Sequence, residues 1–141
     1  MKIPKKITHQ VQPTPTSCAS TCIAMLLNID VNIVIDEFHD GFMSHNEDMS
    51  GYLKRKGLDI VELMSTNNMI MWDKVYLMTV PSLNLKGINH YIVGDSRGDL
   101  FKVYDPNKGK DGKFYYCNED DDNPLSFRIQ TWSLDYEVKN K

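Results

Sequence analysis

Between positions 18 and 27 the chain places Cys22, Ile23, Met25, Leu26 and Leu27, with the small Ala19 and Ala24, around most of a helix circumference. A helix that is apolar on nearly every side must be buried on nearly every side, so this segment is expected to be the central core helix. Its start is fixed from outside. Pro13 and Pro15 lock their own φ angles and bias Gln12 and Thr14 toward extended backbone, which rules out helix before about Thr16. Thr16 or Ser17 then serves as N-cap and Cys18 falls in the first turn. Asn28 ends this helix. Asp30 is placed to cap a second short helix over residues 31–38, broken at Gly41 just after His39 and Asp40. Ser44 or Asn46 is placed to cap a third that runs to Lys56, with Met49, Tyr52 and Leu53 at i, i+3, i+4 and Gly57 as its stop.

The pattern then changes period. Residues 58–64 alternate as a strand does, residues 65–73 read as a short helix through Met69 to Trp72, and residues 75–80 are rich in β-formers up to Pro81. Residues 88–95 and 100–105 are two strands around the compact turn set Ser96, Arg97, Gly98 and Asp99, in which Gly98 can take φ > 0. This is the clearest hairpin of the chain. A further strand is expected over residues 113–117, an exposed acidic loop over 119–122, and closing strands over 127–131 and 132–138 whose pairing the pattern does not fix. Helices come first and strands second, without an internal repeat. That segregation argues for α+β rather than alternating βαβ. The expectation is one domain over residues 1–141, helical over about 16–57 and sheet over about 58–138.

Composition narrows the function classes. Of 141 residues, 41% are hydrophobic and 25% charged, ordinary values for a globular domain. The net charge of −3 lacks the broad basic footprint of a nucleic-acid binder, and Lys2, Lys5 and Lys6 read as a solvated end. No run approaches the ~18 apolar residues of a membrane span and no signal-peptide core is present, so a cytoplasmic location is expected, in its own or a host cell. Three cysteines, Cys18, Cys22 and Cys117, are an odd set that suits free thiols in a reducing compartment. Their spacing matches no zinc pattern and the acidic loop lacks calcium-loop spacing, so neither metal nor cofactor is expected. The richness in Lys, Asn and Asp also resembles that of virus-encoded accessory proteins, which would make a host protein the partner.

A cysteine in the first turn of a helix lies where unpaired amide groups and the positive end of the helix dipole favour thiolate. To act as a nucleophile it needs an imidazole and a group that orients the imidazole. His90, early on one hairpin strand, and Asp105, at the end of the next, each lie about seven or eight residues from the turn centre and should be roughly opposite each other. Gln12, six positions before Cys18, can bring a carboxamide to the developing oxyanion beside the Cys18 backbone amide. Taken singly, each has a plainer reading: Cys18 as a small core residue, His90 as a strand histidine satisfied locally, Asp105 as a turn residue before Pro106. Only the combination makes a site. Cys22 is read as core, while His9, His39 and His45 have no evident partner and are read as structural or exposed. Trp72, Trp132, Phe114, Tyr115 and Tyr116 are read as core and strand packing.

The stretch from Gln12 through Cys18 to Leu27, and the later HYIVGDSRGDLFKVYDP from His90 to Pro106, resemble the C39 group of papain-like cysteine peptidases, which process bacteriocin leaders. The likeness covers roughly Gln12 to Pro106 and includes the helix and Gly-Leu turn between the two motifs. It implies a papain-like fold with the cysteine helix packed on an antiparallel sheet. It also implies Cys18 as nucleophile, His90 as base and then acid, Asp105 as imidazole orienter and Gln12 as oxyanion donor. Ser17 and Ala19 depart from the family, which usually has an acidic residue before the cysteine and glycine after it. The expected function is a cysteine peptidase or amide hydrolase acting on a peptide or protein. Its rivals are a non-catalytic peptide-binding domain on the same fold and a transferase or other amide-modifying enzyme with the same triad.

Overall fold

The computed structural model describes residues 1–63 and 69–141. Four helices precede the strands. Helix α1 spans Cys18–Leu27, α2 spans Val31–Val34, α3 spans Asp40–Met43 and α4 spans Met49–Arg55. Residues Ala19 through Leu27 are all buried, so α1 has no solvent face, as its apolar circumference requires. Its two hydroxyl residues obey the same constraint differently: Thr21 Oγ1 donates to the Ser17 carbonyl at 2.7 Å, whereas Ser20 Oγ is buried without a partner. Asn28 closes the helix in the left-handed conformation, φ 56°.

Asp30 caps α2, accepting from the Asn32 amide at 2.8 Å. Beyond it the helical backbone does not stop at Gly41. It widens into a π turn, Ile35–His39, and continues as α3 to Met43. Packing explains the difference. The wide turn carries Phe38, 1% exposed, onto both Phe42 and Tyr52, each ring centroid 5.1 Å away. Gly41 serves close approach instead, since a Cβ there would lie 3.0 Å from that of Glu47. Helix α4 is capped by Asp48 rather than Ser44 or Asn46; its Oδ1 accepts from the Gly51 amide at 2.6 Å. Gly57, at φ 94°, does end that helical stretch.

Among the described residues seven strands follow: β1 Leu58–Glu62, β2 Val75–Pro81, β3 Asn89–Asp95, β4 Lys102–Tyr104, β5 Tyr115–Tyr116, β6 Ser126–Phe127 and β7 Ser133–Asn140. Five form one antiparallel sheet in the order β1-β7-β2-β3-β4, so the last strand in chain order lies inside the sheet. A bulge between Leu77 and Met78 interrupts its pairing with β2. The short pair β5 and β6 runs parallel. The end of the strand expected over 58–64 and the start of the helix expected over 65–73 lie outside the described residues. Residues 69–73 are irregular rather than helical, and Trp72 is 68% exposed rather than packed. Phe114, at 39%, is also exposed.

The central strands β2 and β3 are buried on both faces. Val75, Leu77 and Val93 pack with α1, while Tyr76, Met78, Ile92 and Leu134 face a second apolar cluster. That cluster is covered by the chain after β4, whose Tyr116, Ile129 and Trp132 pack into it. The structure is therefore α+β, with helices on one face and an irregular layer on the other.

In the β3–β4 turn Gly98 does not take positive φ. Arg97 organises the turn instead: its guanidinium grips both carboxylate oxygens of Asp95, at 3.0 and 2.9 Å, and reaches the Pro4 carbonyl at 2.9 Å. Gly94 is required for another reason, because a Cβ there would lie 2.6 Å from Met78 Sδ and 2.7 Å from the Phe101 ring. Gly94→Ala should therefore destabilise the fold by about 1–3 kcal/mol. Gly98→Ala, with no atom within 4 Å of the added Cβ, should leave stability unchanged or slightly raised; urea titration of both variants checks the pair.

Candidate active site

The turn before α1 is tied to itself. Ser17 Oγ donates to the Thr14 carbonyl at 3.0 Å and accepts from the Thr14 amide at 3.1 Å, so it makes no side-chain cap to the helix. The first-turn amides of α1 are left for other acceptors, and Cys18 is the first helical residue. The His90 imidazole and the backbone amides of Tyr91 and Ala19 are placed to favour the thiolate of Cys18. Helix α1 thus delivers its N-terminus to the start of β3.

His90 is 6% exposed and Asp105 only 1%. His90 Nε2 donates to Asp105 Oδ1 at 2.6 Å, which leaves Nδ1 as the nitrogen that meets Cys18. The ladder accounts for this pairing. Val93 faces Tyr104 and Gly94 faces Val103, so the continuation puts Asp105 beside Ile92, two positions from direct opposition to His90. An even offset keeps both side chains on one face, and they meet diagonally rather than squarely across the strands.

Asp105 is held from several sides. Its Oδ1 also accepts from the Asn107 amide at 2.8 Å, and Oδ2 from the Tyr116 amide at 2.8 Å. Its carbonyl accepts from His9 Nε2 at 2.7 Å. Of the two readings given for His9, structural or exposed, it is therefore the structural one, half-buried and partnered. Nothing in the sequence flags His9, Asn107 or Tyr116, because each bond depends on how distant segments dock.

Gln12 is 3% exposed and fixed by both backbone groups: its amide donates to the Pro106 carbonyl at 2.9 Å and its carbonyl accepts from Lys110 Nζ at 2.9 Å. One side-chain N–H donates to the Thr14 carbonyl at 2.8 Å, and Oε1 is buried without a partner. The carboxamide is thus built into the turn that delivers Cys18, with one amide hydrogen not used by that bond.

Electrostatics couple the thiol and the imidazole. Burial pushes the Cys18 thiol up, but the bond to His90, the charge of His90 and the amides of Tyr91 and Ala19 outweigh it and leave the pKa lowered. Burial pushes His90 down, yet its bonds to Asp105 and Cys18 raise it to about 9. Both shifts favour the thiolate–imidazolium form of the pair over the neutral one. Cys22, one turn further on, is the opposite case: burial, then the charges of Cys18 and Asp105, drive its thiol well up. His39 is half-buried and His45 exposed, and Cys117 is buried away from this centre in the wall of a separate cavity. Among the described residues no group of three or more His, Cys, Asp or Glu side chains could hold a metal ion, and no single helix is long and apolar enough to cross a membrane. No protein-family model matches the chain, and a search of curated proteins finds no match.

The coupled pair makes a pH prediction. Alkylation of Cys18 by iodoacetamide should persist below the usual thiol range and fall only as the lowered thiol pKa is crossed, with Cys22 unlabelled. In Asp105→Asn the imidazolium loses its carboxylate, so the His90 proton should be lost below the native value of about 9 in an NMR titration. His90→Ala should shift the alkylation midpoint of Cys18 upward, since burial then acts without its main counterweight.

Proposed function

We propose that the chain is a cysteine peptidase or related amide hydrolase of papain-like, C39-type architecture, acting on a peptide or protein through an acyl-enzyme. The observation that carries this reading is a buried imidazole bonded to a buried carboxylate and acting on the thiol that opens the core helix, whose pKa it lowers. A helix with cysteine at its N-terminus, packed against an antiparallel sheet whose strand presents histidine, supports the fold assignment.

The chemistry follows from the groups. The Cys18 thiolate attacks the substrate carbonyl, forming a carbon–sulfur bond while the carbonyl electron pair moves to oxygen. The Cys18 backbone amide and the free amide hydrogen of Gln12 are the donors available to that oxyanion. His90 gives its proton to the leaving nitrogen as the carbon–nitrogen bond breaks. Neutral His90 then takes a proton from water as the water oxygen attacks the thioester, and the thiolate departs. Asp105 holds the ring in one orientation through both halves. A pKa of about 9 suits the acid role at neutral pH, and activity should fall on the alkaline side as that proton is lost.

The test is turnover of a pooled peptide substrate followed by mass spectrometry. Cys18→Ala and His90→Ala should each lower cleavage at least about a thousandfold while the folded state and thermal midpoint persist. A normally folded, active Cys18→Ala protein would refute the proposal. Products heavier than hydrolysis allows would indicate transfer, and a Cys18 inert to iodoacetamide in a protein that binds peptides would indicate a binding domain.

A further inference from the structure

A cavity of about 390 Å³ opens between the helical layer and the sheet, within the usual range of roughly 300–1,000 Å³ for ligand pockets. Its walls include the aromatic residues Phe42, Tyr91 and Tyr136 and the acidic residues Asp48, Glu62 and Asp135. Tyr91 joins it to the reactive centre: it follows His90 directly on β3, lines the cavity, meets Phe42 edge-on at 6.2 Å, and its phenol feels the charges of both Asp135 and Cys18. A substrate carbonyl seated on Cys18 would therefore have this cavity next to it along β3.

The charge of the cavity is one-sided. No basic residue lines it, and none of the three carboxylates is in an ion pair among the described residues. Asp135 takes hydroxyl bonds from Thr79 and Ser133, and Asp48 takes the α4 amide of Gly51, so two of the three are fixed in place. The phenol of Tyr136 registers the field: burial raises it, and Asp48, Glu62 and Asp135 all raise it further. These carboxylates do not form a group that could hold a metal ion. Spread carboxylates between aromatic faces suit an extended organic cation, which gains charge pairing and ring contact together.

We propose that this cavity is the specificity pocket of the Cys18 centre and that it receives a lysine or arginine side chain of the substrate, close to the bond that is cleaved. Its meaning rests on the reading of Cys18 as nucleophile; its test does not. Tetrapeptide amides differing at one residue, arginine, lysine, norleucine or glutamate, with that residue moved through the four positions, are titrated into the Cys18→Ala protein at low salt. At one position the basic peptides should bind about tenfold tighter than norleucine. The additional pair Glu62→Gln and Asp135→Asn should erase that preference and leave the norleucine affinity unchanged. Equal affinities, no binding, a preference for norleucine or glutamate, or a basic preference that survives the pair would overturn the pocket. Should Cys18→Ala fail to fold, Cys18→Ser carries the same titration. Basic preference without wild-type turnover counts against the enzyme alone, and turnover without basic preference counts against the pocket alone.

Discussion

The bond between Asp105 and His90 is the constraint around which the other parts are fitted. A carboxylate 1% exposed must be compensated, since breaking a buried pair costs about 3–5 kcal/mol. Asp105 draws on three segments for that compensation and on a fourth for its carbonyl. The β3 imidazole, the amide of its own turn at Asn107 and the β5 amide of Tyr116 satisfy the side chain, and His9 from the N-terminal lead-in satisfies the carbonyl. The same lead-in continues to Gln12, which is bonded to Pro106 and Lys110. One buried acid thus connects the hairpin, the irregular layer and the segment that introduces α1.

This arrangement also changes the account of the thiol. A helix N-terminus was reason enough to consider Cys18 reactive, yet the largest influence on it is burial, which opposes ionisation. What overcomes burial first is His90, and His90 in turn overcomes its own burial through Asp105. The helix brings the sulfur to the right place; His90, about seventy positions further along, lowers its pKa.

What was legible in the sequence was local. The buried circumference of α1, its proline-governed start and the β3–β4 hairpin were readable because neighbours along the chain determine them. The hairpin even put His90 and Asp105 within reach of each other, although the true offset is diagonal. The misreadings occurred where tertiary contact outweighed a local signal. Gly41 looked like a stop and is a close approach to Glu47; Gly98 looked like a turn glycine where Arg97 and Asp95 hold the turn. Trp72 looked like core and is exposed. Nor could any periodicity place β7 or reveal that His9 serves Asp105, since those contacts join segments about a hundred residues apart in the second case.

The position of β7 has a consequence for how the molecule comes together. Strands β1 and β2 do not touch through backbone bonds; each pairs with β7, which follows both by more than fifty residues in the chain. Until residues 133–140 arrive, the sheet is two separate pieces with an open gap, and both facing edges lack partners. Such long-range closure is slow because its entropy must be spent before the pairing repays it. Strand β3, with His90, pairs with β2 and β2 with β7, so the strand that carries the imidazole is one neighbour removed from the closing strand. A growing chain therefore carries its cysteine helix long before it has a finished sheet to arm it.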